Sequence, residues 1–154
     1  MDEVPGSLGT SASFALRLGQ TLFSTASLFF MCLAIDFYSY TAFCFLVTIM
    51  GLVIPWSMTL SLVDVYCVFV RCPSRQPGIM TIIIVGDWVL SFLSLAAASS
   101  TAGVAQLLLT PGSAALLCPL KHCNRYPLSA AMAFLSWFLL FASCLFNIWL
   151  LPKL

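Results

Sequence analysis

Two oppositely charged residues stand inside apolar stretches that are each long enough to cross a membrane. Arg17 lies in the first of these stretches, and Asp87 lies in the third. A full charge at the centre of a membrane helix costs about 2.5–3.5 kcal/mol on insertion scales, so it normally has a partner or a function. The chemistry open to these side chains is an ion pair between helices, or the movement of protons or other solutes.

The two charges lie at comparable depths if both stretches start from the same side of the membrane. Arg17 is about one helical turn into its stretch, and Asp87 lies roughly 12 Å beyond Ile79 at 1.5 Å per residue. The long Arg17 side chain can cover part of the difference. We therefore predict a structural pair, within one chain or between two. Two alternatives stay open: Arg17 reaches the lipid headgroups, or the pair takes part in transport.

The composition is that of an integral membrane protein. Of the 154 residues, 62% are hydrophobic and only 7% are charged, with a mean hydropathy of +1.08. A soluble domain carries about 25% charged residues. The net charge of +1 gives no basis for nucleic-acid binding. The lipid bilayer is therefore the first partner that we expect.

Apolar segments of about 20 residues or more predict four membrane-spanning helices. The predicted fold class is all-α, a four-helix transmembrane bundle with both termini in the cytosol. The tails are 1–13 and 152–154, and we place the four spans at about 14–35, 42–63, 79–105 and 128–151.

Two features predict irregular helices. Pro55 lies in the middle of the second span, where it removes a backbone hydrogen bond, so we expect a kink there. The third apolar stretch continues from Ile79 to about Leu109, which exceeds the thickness of the bilayer. That helix should therefore tilt or project beyond the membrane.

The basic residues outside the spans favour cytosolic termini. Cytosolic loops of membrane proteins carry an excess of Lys and Arg. The side of the termini would hold three basic residues and the opposite side two, namely Arg71, Arg75 and Lys153 against Lys121 and Arg125.

A further acidic residue stands near the end of the second span. Asp64 is seven residues from Arg71, on one helical face but too far for a direct pair along the helix. Asp64 is either solvated or faces Arg17 or Arg75, and we favour an interfacial residue that helps to set the end of the span.

Around Asp87, only Ser91 and Ser94 follow at helical spacing. We therefore expect no polar stripe through the spans, which argues against a transport path.

Small residues recur in the third span. Ser94 and Ala98 are four residues apart, as are Ser99 and Gly103. This spacing lets helix backbones approach closely in membranes. We predict a packing face here, within the bundle or between copies of the chain.

The segment 110–126 is the only sizeable loop, and it contains Cys118 and Cys123. The predicted topology places it outside the cell, where disulfides persist, so we predict a Cys118–Cys123 disulfide. Zinc is the alternative, because His122 is adjacent to Cys123. However, three ligands crowded into six residues do not make a usual closed site. We therefore expect no metal and no cofactor.

The other cysteines divide into two groups. Cys32, Cys44 and Cys144 lie in apolar spans, where we expect them to pack as small hydrophobic residues. Cys67 and Cys72 flank the cytosolic end of the second span and are candidates for S-palmitoylation.

The sequence contains no residue set that could perform catalysis. It has no Gly-rich phosphate loop, no His/Glu metal pattern and no hydrolase nucleophile motif, and its only histidine is His122. We therefore expect that the protein is not an enzyme. Function should reside in the membrane helices, in the 110–126 loop or in lateral assembly.

Four parts of the chain carry a resemblance to a known family. The first is 56–66, which begins with Trp56-Ser57-Met58, and the second is 86–98, which begins with Gly86-Asp87-Trp88. The third is 118–137, and the fourth consists of Asn147 and 149–152. With one Arg in the first span and one Asp in the third, the chain resembles the Casparian strip membrane domain proteins and the CASP-like proteins. That group is related to the MARVEL four-helix domain, and the resemblance covers nearly the whole chain.

The resemblance implies a multi-pass plasma-membrane protein of a plant with cytosolic termini. It also implies homo- and hetero-oligomers with related four-span proteins. The best-known members form immobile scaffolds that restrict lateral diffusion and recruit wall-modifying enzymes. Arg17 and Asp87 match the charged span residues of the family, and we assign them to structure or assembly. The short first outer loop lacks the signature of the members that mark the Casparian strip.

Two functions compete at this point. The leading interpretation is a membrane scaffold that self-associates laterally and organises wall-modifying machinery. The alternative is a small four-helix transporter, channel or accessory subunit that uses Asp87 and Arg17.

Overall fold

The computed structural model describes residues 11–34, 37–70, 77–110 and 124–150. Within these ranges the chain is all-helical and contains no strand, which confirms the predicted all-α bundle of four helices. A short 3₁₀ helix occupies Phe37–Ser39. The long helices are α1 (Ser11–Cys32), α2 (Thr41–Val70), α3 (Pro77–Leu109) and α4 (Arg125–Leu150).

The helices differ in how well their length and hydropathy suit a membrane span. Helices α2, α3 and α4 are each long and apolar enough to cross a membrane. Helix α1 has 22 residues, which is long enough, and it is the most polar of the four long helices. Helix α3 has 33 residues, and at 1.5 Å per residue its length of about 50 Å exceeds a hydrocarbon core of about 30 Å.

The four helices form a ring in which sequence neighbours are spatial neighbours. Helix α1 packs against α2 and α4, and α3 packs against the same two helices. Helices α1 and α3 therefore face each other across one diagonal of the bundle, and α2 and α4 face each other across the other. Contacts of Ser13 with Asp64 and of Gln20 with Ser57 show that α1 and α2 are antiparallel.

The interior changes character along the bundle. One end, which we call the charged end, holds the first turns of α1 and contains Arg17 and Asp87. The opposite end, which we call the aromatic end, contains Phe43 of α2 stacked on Tyr126 of α4, with ring centroids 4.6 Å apart and an interplanar angle of 11°. Buried apolar side chains surround this stack, among them Met31, Leu46, Met50, Ala97, Ala98 and Ala133.

Helix α2 continues through Pro55 without interruption. The Thr59 hydroxyl donates to the Pro55 carbonyl at 2.8 Å. A kink at Pro55 stays a prediction.

The outer surface of the bundle is apolar. Large hydrophobic side chains on all four helices are exposed, including Leu22, Phe29, Leu62, Ile82, Trp88, Phe92, Phe138 and Trp149. In a membrane-spanning bundle this surface faces lipid, so the polar side chains of the spans have to be satisfied inside.

Candidate functional site

Arg17 and Asp87 meet in the interior of the bundle. Two guanidinium nitrogens of Arg17 donate to the two Asp87 carboxylate oxygens, Nη1 to Oδ1 at 2.8 Å and Nη2 to Oδ2 at 2.6 Å. Both side chains are fully buried. The pair joins α1 to α3 across the diagonal, a distance that needs the long arginine side chain. Such parallel, charge-assisted bonds are the strong form of a hydrogen-bonded ion pair.

Trp56 of α2 is a third member of this site. Its indole Nε1 donates to Asp87 Oδ1 at 2.9 Å. The ring lies against Gly86, where a Cβ atom would collide with the Trp56 ring atoms Cζ2 and Cη2. The absence of a side chain at Gly86 therefore allows the indole to reach Asp87. In this way Asp87 receives donors from α1 and from α2.

The ion pair is neutral as a unit, and its energy depends on both partners. In proteins, removing one partner of a buried pair costs about 3–5 kcal/mol, because the other charge is left uncompensated. Replacing both partners by apolar residues of similar volume is often close to neutral. The pair therefore specifies which helices come together more than it adds to the total stability.

The ion pair belongs to a longer row of buried polar contacts, which we call the polar column. On α1 its members are Ser13, Arg17, Gln20, Ser24 and Ser27, all of them at most 2% exposed. They recur every three or four residues, so they share one face of the helix. From Ser13 to Ser27 this face runs about 21 Å at 1.5 Å per residue.

At its charged end, the column connects α1 to α2. The Ser13 hydroxyl donates to Asp64 Oδ2 at 2.8 Å, and Asp64 is fully buried. The Ser57 hydroxyl donates to Gln20 Oε1 at 3.1 Å. The Asp64 carboxylate faces α1 inside the bundle, level with the first turn of that helix, and its role in setting the end of the span stays a prediction.

Further along, the column connects α1 to α4. The hydroxyl groups of Ser24 and Ser136 hydrogen-bond at 2.6 Å. Ser27 and Ser129 exchange bonds: the Ser27 hydroxyl donates to the Ser129 carbonyl at 2.9 Å, and the Ser129 hydroxyl donates to the Ser27 carbonyl at 2.8 Å. These contacts let the two backbones approach closely, as small polar residues do in membrane helices.

The expectation that no polar stripe runs through the spans was wrong. We looked for polar neighbours of Asp87 along α3, whereas the stripe lies on α1. The signal was present in the sequence as polar residues at three- and four-residue spacing from Ser13 to Ser27. Trp56 gave no comparable signal, because a tryptophan in an apolar span is equally suited to face lipid.

Several buried polar atoms have no hydrogen-bond partner among the residues that the structure describes. They are Arg17 Nε, Gln20 Nε2, and both amide atoms of Asn147. The first two lie within the polar column, beside the ion pair. Asn147 lies on α4 and is 1% exposed.

The small residues of α3 divide between the inside and the outside of the bundle. Ser94 and Ala98 are buried, whereas Ser99 and Gly103 are exposed. Open space surrounds the position that a Cβ atom would take at Gly103. The first pair therefore lies within the fold, and the second pair faces the surroundings of the protein.

The cysteines and the outer loop fall partly outside the described residues. Cys118, Cys123 and His122, with the predicted disulfide, lie outside them, as does Cys72. Within the described ranges, Cys144 is buried, Cys44 and Cys67 are half-buried, and Cys32 is exposed at the end of α1. These ranges contain no cluster of His, Cys, Asp and Glu that could hold a metal.

Two grooves on the outer surface are lined by apolar side chains. The first measures about 600 Å³ and is lined by Ala142, Leu145, Phe146, Ile148 and Trp149. The second measures about 190 Å³ and is lined by Ile84, Val85, Trp88, Val89 and Ile148. Neither groove includes a residue of the polar column.

Comparison with known proteins gives a consistent result. Residues 6–139 match the family model described as the Casparian strip membrane protein domain. The chain is 59% identical to CASP-like protein 5C1 of Oryza sativa subsp. japonica, over 96% of this chain and 94% of the relative. It is 53% identical to CASP-like protein 5C3 of Arabidopsis thaliana, over 100% and 99%.

A more distant relative extends the comparison, and it too aligns along nearly the whole chain. CASP-like protein 5B1 of Ginkgo biloba is 45% identical over 97% of this chain and 83% of the relative. No solved structure matches the chain. The membrane-spanning helices, the family model and the full-length relatives agree, and the chain therefore belongs to the CASP-like family of plant membrane proteins, which carry the Casparian strip membrane protein domain.

Proposed function

We propose that this chain is a multi-pass protein of the plant plasma membrane that self-associates laterally and acts as a membrane scaffold. Both termini lie in the cytosol, as the distribution of basic residues favours. Its partners are the lipid bilayer, further copies of itself and related four-span proteins. By family resemblance, the assembled scaffold organises wall-modifying enzymes.

One observation carries this proposal. The charged side chains and the polar column of the described helices point inward and are largely satisfied by one another, while large apolar side chains cover most of the outside. The exposed hydroxyls of Thr25, Thr48 and Ser99 donate to carbonyl groups of their own helices. The interior is thus occupied with holding the helices together. What the bundle presents to its surroundings is an apolar lateral surface, which suits contacts with lipids and with other membrane proteins.

The outward small residues of α3 are the candidate contact between copies. Ser99 and Gly103 are exposed and stand four residues apart. A neighbouring helix can approach such a face closely, and van der Waals packing then drives association in lipid. Ser94 and Ala98 are already used inside the fold.

The test is fluorescence recovery after photobleaching of a tagged copy in its native plasma membrane, together with single-molecule subunit counting. A lateral scaffold recovers slowly and forms multi-subunit spots. The matched pair of variants is Gly103→Leu and Gly51→Leu, because both glycines face open space. We expect Gly103→Leu to lower the subunit count and Gly51→Leu to leave it unchanged. Rapid recovery with uniform small particles would contradict the scaffold.

The polar column favours a second candidate function, a small transporter, channel or accessory subunit. A continuous row of buried polar groups resembles the path that protons or ions take through membrane proteins. Asp87→Asn keeps the shape of the side chain and removes its charge. Loss of solute flux in this variant, with assembly and delivery to the plasma membrane intact, would favour transport over the scaffold.

A further inference from the structure

We infer that α1 is a conditional membrane span: it crosses the bilayer only when the later helices of the same chain cover its polar face. The inference goes beyond the scaffold function. It rests on the proposed cytosolic position of the termini. The experiment below measures that position independently of whether α1 crosses the membrane.

The first argument is the contrast between α1 and the other helices. Helices α2, α3 and α4 are each apolar enough, by length and composition, to cross a membrane, whereas α1 buries Arg17, Gln20 and three serines and is the most polar of the four. An isolated span must be compatible with hydrocarbon on every side, because lipid offers no hydrogen bonds. Helix α1 alone would expose a guanidinium, an amide and several hydroxyl groups to lipid.

The second argument is that the polar face of α1 points into the bundle and its apolar face points outward. Five of its six buried side chains are polar, the exception being Met31. Its exposed large side chains are apolar, namely Leu18, Leu22 and Phe29. Helix α1 is therefore amphipathic with its polar face turned into the bundle. An amphipathic helix of this kind, with one cation on its polar face, is compatible with the membrane surface when it has no partner.

The third argument is where the partners of α1 come from. Ser13 meets Asp64 of α2, which is 51 residues later in the chain, and Arg17 meets Asp87 of α3, which is 70 residues later. Ser24 meets Ser136 of α4, which is 112 residues later. The polar face of α1 is thus completed only after the whole chain has been made. Each later helix can insert through its own hydropathy, whereas α1 depends on all three.

Asp87 is the decisive partner, because its carboxylate accepts two parallel hydrogen bonds from the Arg17 guanidinium. Without it, Arg17 loses its ion pair with α3, and a cation is the most costly group on the polar face of α1. The other contacts are hydrogen bonds between neutral groups or to Asp64, and each adds a smaller amount. Asp87 variants should therefore shift α1 out of the membrane while α2, α3 and α4 stay in it.

The experiment uses the full chain with added glycosylation sites in microsomal membranes. The natural sequence contains no Asn-x-Ser/Thr site, so each added site reports one position. One site is placed on an N-terminal extension, and a second is placed in the segment 111–123. With cytosolic termini, the unchanged chain is glycosylated only in the segment 111–123.

In Asp87→Ala, we expect the N-terminal extension to become glycosylated as well, because α1 no longer crosses the membrane while α2 to α4 keep their orientation. We expect the ratio of glycosylated to unglycosylated extension to rise about a hundredfold, in line with the insertion penalty of an unpaired arginine. The second variant is Asp87→Ala with Arg17→Leu. It should return to the pattern of the unchanged chain, because α1 then carries no charge. Gly51→Ala, on the outer face of α2, is the control that should change nothing.

Two results would overturn the inference. One is an N-terminal extension that stays unglycosylated in Asp87→Ala, since α1 would then span without its partner. The other is a failure of Arg17→Leu to reverse the change, which would indicate general misfolding. Failure of the proposed orientation looks different: the unchanged chain would be glycosylated on the extension and not in 111–123. With that reversed orientation, loss of glycosylation on the N-terminal extension in Asp87→Ala would support conditional insertion of α1. Continued glycosylation of the extension in Asp87→Ala would overturn the inference.

Discussion

The two ends of the bundle are held together across different diagonals and by different kinds of interaction. At the charged end, Arg17 and Asp87 join α1 to α3 through paired hydrogen bonds between ions. At the aromatic end, Phe43 and Tyr126 join α2 to α4 through stacked rings. The ion pair tolerates little change in geometry, whereas the stack is surrounded by apolar side chains that can repack. The charged end should therefore specify the arrangement of the helices, and the aromatic end should mainly add packing.

The largest effect should come from exchanging the two charges. In Arg17→Asp with Asp87→Arg, the signs still match, but the Trp56 indole N–H would point at the new guanidinium instead of a carboxylate. We expect the exchanged chain to lose about 3–5 kcal/mol of unfolding free energy, as a broken buried pair does. Addition of Trp56→Phe removes the opposed donor and should recover part of the loss. Unfolding in detergent micelles measures both, and full stability of the exchanged chain would show that Trp56 does not position the pair.

The next largest effect should come from Gly86→Ala. The new methyl group would displace the Trp56 ring and lengthen its bond to Asp87. Overpacking of this kind costs about 1–3 kcal/mol. Gly103→Ala is the matched control on the same helix, because the space around it is open. Equal stability of the two variants would mean that the close approach of Trp56 to Gly86 is not needed.

At the aromatic end, Tyr126→Leu should have a moderate effect. The substitution removes the stacked ring and keeps an apolar side chain in place. Aromatic pairs contribute about 0.5–1.5 kcal/mol beyond the area that they bury, so we expect a loss of that size in unfolding free energy. A loss as large as that of the charge exchange would remove the distinction between the two ends.

The smallest effect should come from Ser24→Ala in the polar column. This change removes a hydroxyl contact with Ser136 between two neutral groups. Hydrogen bonds between membrane helices average about 0.6 kcal/mol, and we expect a loss of that order. Thr25→Ala is the control, because the Thr25 hydroxyl donates to the Thr21 carbonyl of its own helix. A difference well above 1 kcal/mol between the two would mean that the column acts cooperatively.

The four helices could be predicted from the sequence, because a long apolar segment in a protein of this composition is almost always a membrane-spanning helix. The sequence also suggested that Arg17 and Asp87 meet, since an unpaired charge at either position is costly. The hydroxyl contacts were not accessible in the same way. Thr21, Thr25 and Thr48 donate to carbonyl groups of their own helices, whereas Ser24 and Ser27 reach another helix. The sequence does not distinguish these two uses of a hydroxyl group.

Trp56 and Asp64 show a second reason why the sequence did not predict every residue of the site. Both positions suit more than one environment: an indole packs against lipid as well as against protein, and a carboxylate near a helix end is stable in water. Their inward placement follows from the register between α1, α2 and α3, which is a property of the packed bundle. Periodicity within one helix can reveal a polar face, as on α1, but not the side chains that meet it.

A double-mutant cycle on the ion pair tests the central claim, that Arg17 and Asp87 join α1 to α3 within one chain, most directly. The variants are Arg17→Met, Asp87→Leu and the two together, unfolded in micelles at a dilution where the chain is monomeric. We predict that each single change lowers the unfolding free energy by about 3–5 kcal/mol, and that the double change lies close to the unchanged chain. Losses that simply add in the double variant would contradict a direct pair within the monomer.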